Sequence, residues 1–414
     1  MSEKRRPLEG VKVLELAIFI AAPCCARYLA DLGAEVVKVE PQGGDVVRFL
    51  ATNEGRPSGD EENTTFTLEN TGKRCVILNL KTDAGKEAFH KLLSKSDIFV
   101  TNWRPGALAR AGFDYYTLKE EYPKLVMGLV SGYGEKGPDK DLPGYDFTSY
   151  FARGGISGTM YDADSEPMIP IAGFGDHQVG IYLASGLIAS LYRAKETGEG
   201  DLVTVSLYQS ALWDIGILLT SNQYGDQSTQ YPISRKELAN QLQSIYRTKD
   251  GHWMQIALPQ YDRFWPEFCK LIGHPEYSED ARYYPQSNAK ENLYDIHKII
   301  TEAFLSKTAA DWKTLLTDAD MPFSVCMTWN EILVDEQAWV NDYLTAVKFR
   351  NGVTRTMVRT PVTFADTPLP PYESAAYLGE HTKEVLAEIG YSATQISAML
   401  EAGAATGVKR DLPK

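Results

Sequence analysis

Residues 171–195 read IAGFGDHQVGIYLASGLIASLYRAK, and one acid, Asp176, stands at the mouth of an apolar run with helical spacing. An aspartate at a helix start ordinarily serves as a cap. Three physical points favour chemistry instead. The dipole and free N–H groups of the helix start are expected to keep the acid ionised. Gly173 and Gly175 leave room for a substrate to approach the carboxylate. A carboxylate can also attack an activated acyl group and form a mixed anhydride. His177 is adjacent, but consecutive helix residues do not face each other, so it is expected to pack or hydrogen-bond rather than relay a proton to Asp176.

Two further stretches carry chemistry-bearing side chains. TNWRPGALAR (101–110) follows a strand-like run, where open α/β sheets bind ligands. There Asn102 offers hydrogen bonds, Trp103 a stacking face, and Arg104 and Arg110 pairing with phosphates. The stretch 132–158 reads as a long Gly- and Pro-rich loop bearing Tyr133, Lys136, Lys140, Tyr145, Asp146 and Arg153. The five cysteines form no C-x-x-C pair and no H-E-x-x-H occurs, so no metal site is expected. An odd, sparse set of cysteines in a chain of 414 residues reads as reduced thiols in a cytoplasmic protein, with Cys24 and Cys25 packed as small apolar residues.

Elements of alternating type must position these groups. VKVLEL (11–16) reads as a strand, APCCARYLADLG (22–33) as a helix ended by glycine, and EVVKVE (35–40) as a second strand. CVILNL (75–80), DAGKEAFHKLLSKS (83–96) and DIFVTN (97–102) repeat the βαβ rhythm, and LVMGLVSGYG (125–134) adds a strand. The expected fold class is α/β: a Rossmann-like large domain with a parallel sheet covered on both faces, plus a smaller α+β domain. The large domain is assigned to 1–224 and 330–414 and the small one to 225–329. The tail, with MVRTPVTF and LGEHTKEVLAEIGYSATQISAML, is expected to return to the large domain.

The same reading excludes several function classes. A nicotinamide-dinucleotide enzyme needs G-x-G-x-x-G after the first strand, where LAIFIAAP stands instead. A net charge of −13 argues against a nucleic-acid surface, which needs a basic face. No run reaches the roughly 18 apolar residues of a membrane span, and KRR at the N-terminus precedes no secretion-type apolar segment.

Taken together, PLEGVKVLEL, NTGKRCVILNLKT, TNWRPGAL, GYGEKGPD, GFGDHQVG and LGEHTKEVLAEIG resemble the family III (CaiB/BaiF-type) CoA-transferases in order and spacing over nearly the whole chain. EENTTFTLEN, KGPDKDLPGYD, YFARGGISGT and DEQAWVNDYL are most similar to the branch that acts on aryl-2-hydroxy acids such as phenyllactate in amino-acid-fermenting anaerobes, and less so to the 2-hydroxyisocaproate branch. The resemblance implies an interlocked homodimer. It implies reversible CoA transfer from an acyl-CoA to a carboxylic acid, with Asp176 forming first an acyl anhydride and then a CoA thioester. Coenzyme A and acyl-CoA are then substrates, and no permanently bound cofactor, ATP or metal is expected. Carried over by motif, CoA contacts fall on Phe19, Ile20, Ala21, Leu78, Asn79, Lys81, Asn102, Trp103, Arg104, Arg110, Tyr145 and Asp146.

Departures from the family pattern sharpen the expectation. Ile20 stands where oxalate-specific members have glutamine, which suits an apolar acyl group. Pro41 replaces a basic contact, and KELANQLQSIYRT has no counterpart of the glycine-rich loop of the oxalate-specific enzymes. The racemase branch of the fold uses a histidine where Tyr145 stands; a phenol with a reference pKa near 10 is a poor substitute base.

Overall fold

The computed structural model describes residues 5–408. Short β-rich runs alternate with helices, and the first six strands are β1 (Lys12–Leu16), β2 (Glu35–Glu40), β3 (Arg74–Leu78), β4 (Ile98–Thr101), β5 (Val126–Ser131) and β6 (Leu202–Ser206). They form one sheet in the order β3-β2-β1-β4-β5-β6, parallel throughout, with the short strand Ala405–Thr406 added antiparallel beside β3. This is the doubly wound order, and its switch point lies between β1 and β4.

Successive residues of each strand feed opposite cores, as a sheet covered on both faces requires. Val13, Val36, Ile98 and Val126 pack against the helices Ala21–Asp31 and Phe174–Thr197. Leu14, Val37, Phe99 and Met127 pack on the other face against Phe89, Leu108, Leu118 and Leu386. The Phe174–Thr197 helix runs 24 residues, longer than its apolar stretch suggests, and ends at Gly198 with φ +80°, a left-handed cap. Helix Ala21–Asp31 lies close against it: a Cβ on Gly180 would stand 2.8 Å from the Cys24 sulfur. Glycine at 180 is therefore a packing requirement.

The chain divides into two compact units, one comprising residues up to Ile156, Pro170–Ile217 and Glu336 onward, the other Ser157–Ile169 and Leu218–Asp335. The sequence boundaries at 224/225 and 329/330 miss the segment 157–169. Side chains far apart in sequence attach that segment to the second unit: Asp162 bridges the Ile233 backbone and pairs with Arg235, and Lys236 lies 3.0 Å from Asp164. The second unit has an antiparallel meander of Ile245–Arg247, Trp253–Ile256 and Phe323–Val325, covered by helices Tyr261–Leu271, Leu293–Leu305 and Ala309–Asp318 around Trp265, Phe304 and Trp312. The tail rejoins the first unit through the hairpin Leu344–Lys348/Thr354–Val358 and helices Thr382–Glu388 and Ala393–Glu401. No helix among the described residues is long and apolar enough to cross a membrane.

Candidate active site

The turn after β1 lies at the switch point and is held from three sides. Both ends of the Asn102 amide bind Ile18: its Nδ2 donates to the Ile18 carbonyl at 2.7 Å, and its oxygen accepts the Ile18 N–H at 3.2 Å. The Phe19 N–H donates to Asp45 Oδ1 at 3.2 Å. The Phe19 ring meets Tyr145 edge-on, with centroids 5.6 Å apart. These contacts hold Phe19 at φ +66°, a left-handed conformation that an aromatic residue adopts only at a cost of about 1–3 kcal/mol.

On one side of this turn opens a cavity of about 980 Å3, whose wall includes Leu16–Ile18, Pro41, Leu78, Asn79, Lys81, Lys86, Trp103 and Arg110. Three cations and an indole suit an anionic ligand that carries a ring. Leu78, Asn79, Lys81, Trp103 and Arg110 are thus brought together, and Lys86, which the sequence reading missed, joins them from the helix Asp83–Leu93. Its signal was present as the last residue of KTDAGK, in the first turn of the helix that follows Lys81. Phe19, Ile20, Ala21, Asn102, Arg104, Tyr145 and Asp146 do not line it. Ala21 and Asp146 are buried, Asn102 is used in holding the turn, and Arg104 is exposed before the helix Pro105–Ala111. Replacing Lys81 and Arg110 together by alanine is expected to weaken binding of an anionic nucleotide roughly tenfold at low salt, with the gap closing as ionic strength rises. Titration calorimetry in two salt concentrations checks this; equal affinities at low salt contradict it.

On the other side of the turn Ile20 reaches the start of the long helix, where a Cβ on Gly173 would lie 3.5 Å from its Cδ1. Asp176 is here, but it is not the cap. Gly173 occupies the cap position at φ +82° with no side-chain capping bond, and Asp176 is the third helical residue. The capping role falls to Asp146, from the π-helical turn Asp146–Ala152, whose Oδ1 accepts the Gly175 N–H at 3.1 Å. Its other oxygen, Oδ2, is buried and has no hydrogen-bond partner among the described residues. A Cβ on Gly175 would stand 2.4 Å from Asp146 Oδ1 and 2.3 Å from the Tyr150 ring, so this contact exists only with glycine.

The electrostatics correct the sequence reading on a second point. The helix start does not keep Asp176 ionised well below neutrality. Burial, then the negative charges of Asp146 and Glu69, push its pKa up to about 7, against an opposing pull from His177. Asp146 itself is pushed up to about 6 by burial, held back by the backbone N–H groups of Gly173 and Gly175 and by the charge of His177. Among the described residues nothing hydrogen-bonds or ion-pairs the Asp176 carboxylate, which leaves it free to react. His177 does hydrogen-bond, as expected, with Nε2 lying 2.8 Å from Glu69 Oε1. Cys24, Glu69 and His177 place ligand atoms within 4.8 Å of one another. The 2.8 Å contact is shorter than the roughly 3.3 Å that separates two ligands of one tetrahedral zinc, so the group is built as a hydrogen-bonded pair beside a thiol. A reaction that needs ionised Asp176 should fall off on the acid side with a midpoint near pH 7. A kcat/KM profile flat from pH 5 to 8 contradicts that assignment.

Beneath the turn lies a buried ionic network that the sequence did not disclose. Lys38 Nζ lies 2.7 Å from Glu15 Oε1, 3.0 Å from Asp45 Oδ2 and 2.8 Å from the Ala17 carbonyl. Lys73 Nζ lies 2.7 Å from Glu15 Oε2 and donates to Pro23 O and Asn70 Oδ1. All four charged side chains are fully buried. Asp45 thus couples the network to the Phe19 N–H, and Asn70 couples it to the helix Thr64–Asn70 that carries Glu69. Next to it Arg48 grips Glu40 with two bonds, at 2.7 and 2.9 Å, and pairs with Asp60. Burial works against the Glu40 charge, but Arg48 and Lys38 outweigh it and hold the carboxyl at a pKa of about 2.

With this geometry in place, the comparisons with known proteins agree in one direction. Residues 8–382 match CoA-transferase family III, and the chain belongs to that family. It is an enzyme, a CoA-transferase. It is 46% identical over 400 residues to the cinnamoyl-CoA:phenyllactate CoA-transferase of Clostridium sporogenes, covering 96% of this chain and 97% of that one. It is 44% identical over 390 residues to the (R)-2-hydroxy-4-methylpentanoate CoA-transferase of Clostridioides difficile, covering 94% and 97%. Among solved structures, a CAIB/BAIF family protein from Brucella suis superposes with a TM-score of 0.80 at 25% identity, covering 93% of this chain and all of the other.

Proposed function

We propose that this enzyme moves coenzyme A reversibly from an acyl-CoA to an aryl- or alkyl-2-hydroxy acid of the phenyllactate and 2-hydroxyisocaproate kind, with Asp176 as the covalent carrier. The observation that carries this reading is an unpartnered, partly buried carboxylate at the start of a helix, reached across one turn from a cationic cavity. An Asp176 oxygen attacks the thioester carbonyl, the C–S bond breaks, and CoA leaves as thiolate, giving an aspartyl-acyl anhydride. The thiolate then attacks the Asp176 carbonyl and releases the first acid, leaving an aspartyl-CoA thioester. The acceptor carboxylate attacks that thioester and displaces the thiolate, giving a second aspartyl-acyl anhydride; the thiolate then attacks its acyl carbonyl, which forms the new acyl-CoA and frees the Asp176 carboxylate. One thioester replaces another, so the exchange is close to isoenergetic.

Ile20 beside the helix start supports an apolar acyl group over a dicarboxylate. The two named relatives support hydroxy-acid substrates. Leu78, Asn79, Lys81, Trp103 and Arg110 are proposed to hold the CoA nucleotide. Phe19, Ile20 and Ala21 would border the path to Asp176, with Asn102, Tyr145 and Asp146 supporting it from behind. The enzyme is proposed to act as an interlocked homodimer in the cytoplasm. In support of a partner subunit, Trp213 in the first unit is 78% exposed and Trp329 in the second 72%. The substrate test is an acceptor panel with cinnamoyl-CoA as donor, read by mass spectrometry. Phenyllactate, indolelactate and 2-hydroxyisocaproate are expected to outpace oxalate at least tenfold in kcat/KM, because an apolar site poorly desolvates a second carboxylate. Oxalate as the best acceptor contradicts the assignment.

A further inference from the structure

His177 follows the nucleophile and has no part in the bond-making sequence above. Its partner, Glu69, comes from the helix Thr64–Asn70, and its side chain is 2% exposed. A buried carboxylate needs a cation or strong donors. Among the described residues His177 is the only cationic partner in bonding range of Glu69. The imidazole is 41% exposed, so it takes up a proton readily while still contacting Glu69.

The charged and titratable groups around Asp176 come from every neighbouring element. Asp146 faces it from the π-helical turn, and Glu69 from the helix Thr64–Asn70. His177 stands on its own helix. Helix Ala21–Asp31 contributes Cys24, which is close to Glu69 and His177, and Arg27, which is paired with Asp31 at 2.8 Å. Two carboxylates therefore crowd a third that must be ionised to react. Among the described residues, the positive charge that acts on Asp176 is that of His177.

We propose that Glu69 and His177 form a positioning pair in which Glu69 holds the imidazole charged and the imidazolium favours the ionised form of Asp176 against its two carboxylate neighbours. The inference rests on Asp176 being the nucleophile. Burial disfavours the charge on His177, but the Glu69 hydrogen bond and the charges of Glu69 and Asp176 outweigh it and raise the imidazole pKa above its ordinary value. The imidazolium balances the buried Glu69 carboxylate, and its charge opposes the effect of Glu69 on Asp176.

Removing one member differs from removing both, and the difference is the test. In His177→Asn the Glu69 carboxylate is left buried and uncompensated beside Asp176. The acid limb of the kcat/KM profile should then move up by about one pH unit relative to that variant's own alkaline plateau. The double variant Glu69→Gln/His177→Asn removes the uncompensated charge, and its limb should return toward the wild-type position. A merely structural role lowers the rate at all pH values without moving the limb, and that result overturns the inference. So does a double variant whose limb stays with His177→Asn. A parallel mass-spectrometric search for an acyl-CoA-dependent adduct on Asp176 of the wild type separates the two claims. An adduct with an unmoved limb sinks only the pairing, whereas no adduct sinks the nucleophile assignment beneath it.

Discussion

Asp176→Ala is expected to lower kcat for CoA transfer at least about 10⁴-fold, because every covalent intermediate proposed above requires that carboxylate. CoA binding should change little, since Asp176 does not line the cavity proposed above to hold the CoA nucleotide. The isosteric Asp176→Asn carries a second expectation of opposite sign. The folded-state pKa of Asp176 is raised to about 7 from an ordinary 3.8, so the folded protein binds this proton more tightly than the unfolded chain. The group's stability contribution is full below about pH 4 and is lost as the pH rises through 7. A shift of about three units corresponds to at most roughly 4 kcal/mol at alkaline pH. Asp176→Asn should therefore unfold at a higher temperature than wild type at pH 8, and the advantage should shrink as the pH falls toward 4. An inactive but stabilised variant is the signature of a residue kept for reaction at the expense of the fold. Equal or lower melting temperature at pH 8 contradicts the electrostatic account of the site. Undiminished exchange in Asp176→Ala contradicts the chemical one.

The largest expected loss of stability comes from Glu15→Gln. Glu15 lies between Lys38 and Lys73, with one oxygen 2.7 Å from each ammonium group, and all three side chains are fully buried. Without its charge Lys38 keeps Asp45, but Lys73 keeps only the Pro23 carbonyl and the Asn70 amide oxygen. Breaking a buried pair on one side costs about 3–5 kcal/mol, because the remaining ion has lost its partner and cannot regain water. Denaturant unfolding should show a lower midpoint by that amount. Adding Lys73→Met should recover part of the loss, since the stranded charge goes with it. A double variant as unstable as the sum of the two singles contradicts the pairing. The same substitution should slow the enzyme beyond its effect on folding, because Asp45, which holds the Phe19 N–H, shares Lys38 with Glu15.

The sheet was readable because its signals are local. Short apolar runs, helical spacing and Gly33 after the first helix place β1 to β5 and their crossovers within a few residues. The candidate carboxylate stood out because glycines flank an acid at the start of an apolar, helically spaced run. What lay beyond reach depends on partners distant in sequence. Asp146 caps a helix that begins 28 residues later, and no spacing rule links the two. Glu69 finds His177 across 108 positions. Lys38 is a related case: EVVKVE marks a strand but not the partners of its lysine. In a parallel sheet covered on both faces there is no solvent face, so a polar residue in a central strand must bring its own buried partners. The boundary error at 157–169 is of the same kind, since that segment is assigned by its bridge to Ile233 and its ion pairs with Arg235 and Lys236, not by its composition.

The central claim is that the acyl group and CoA pass through the side chain of Asp176. Enzyme incubated with an acyl-CoA and hydroxylamine, then digested and analysed by mass spectrometry, tests it most directly. The account predicts a hydroxamate in place of the Asp176 carboxylate, formed only when acyl-CoA is present and absent from Asp176→Ala. Loss of activity with the Asp176 peptide unmodified, or modification at another carboxylate, contradicts it.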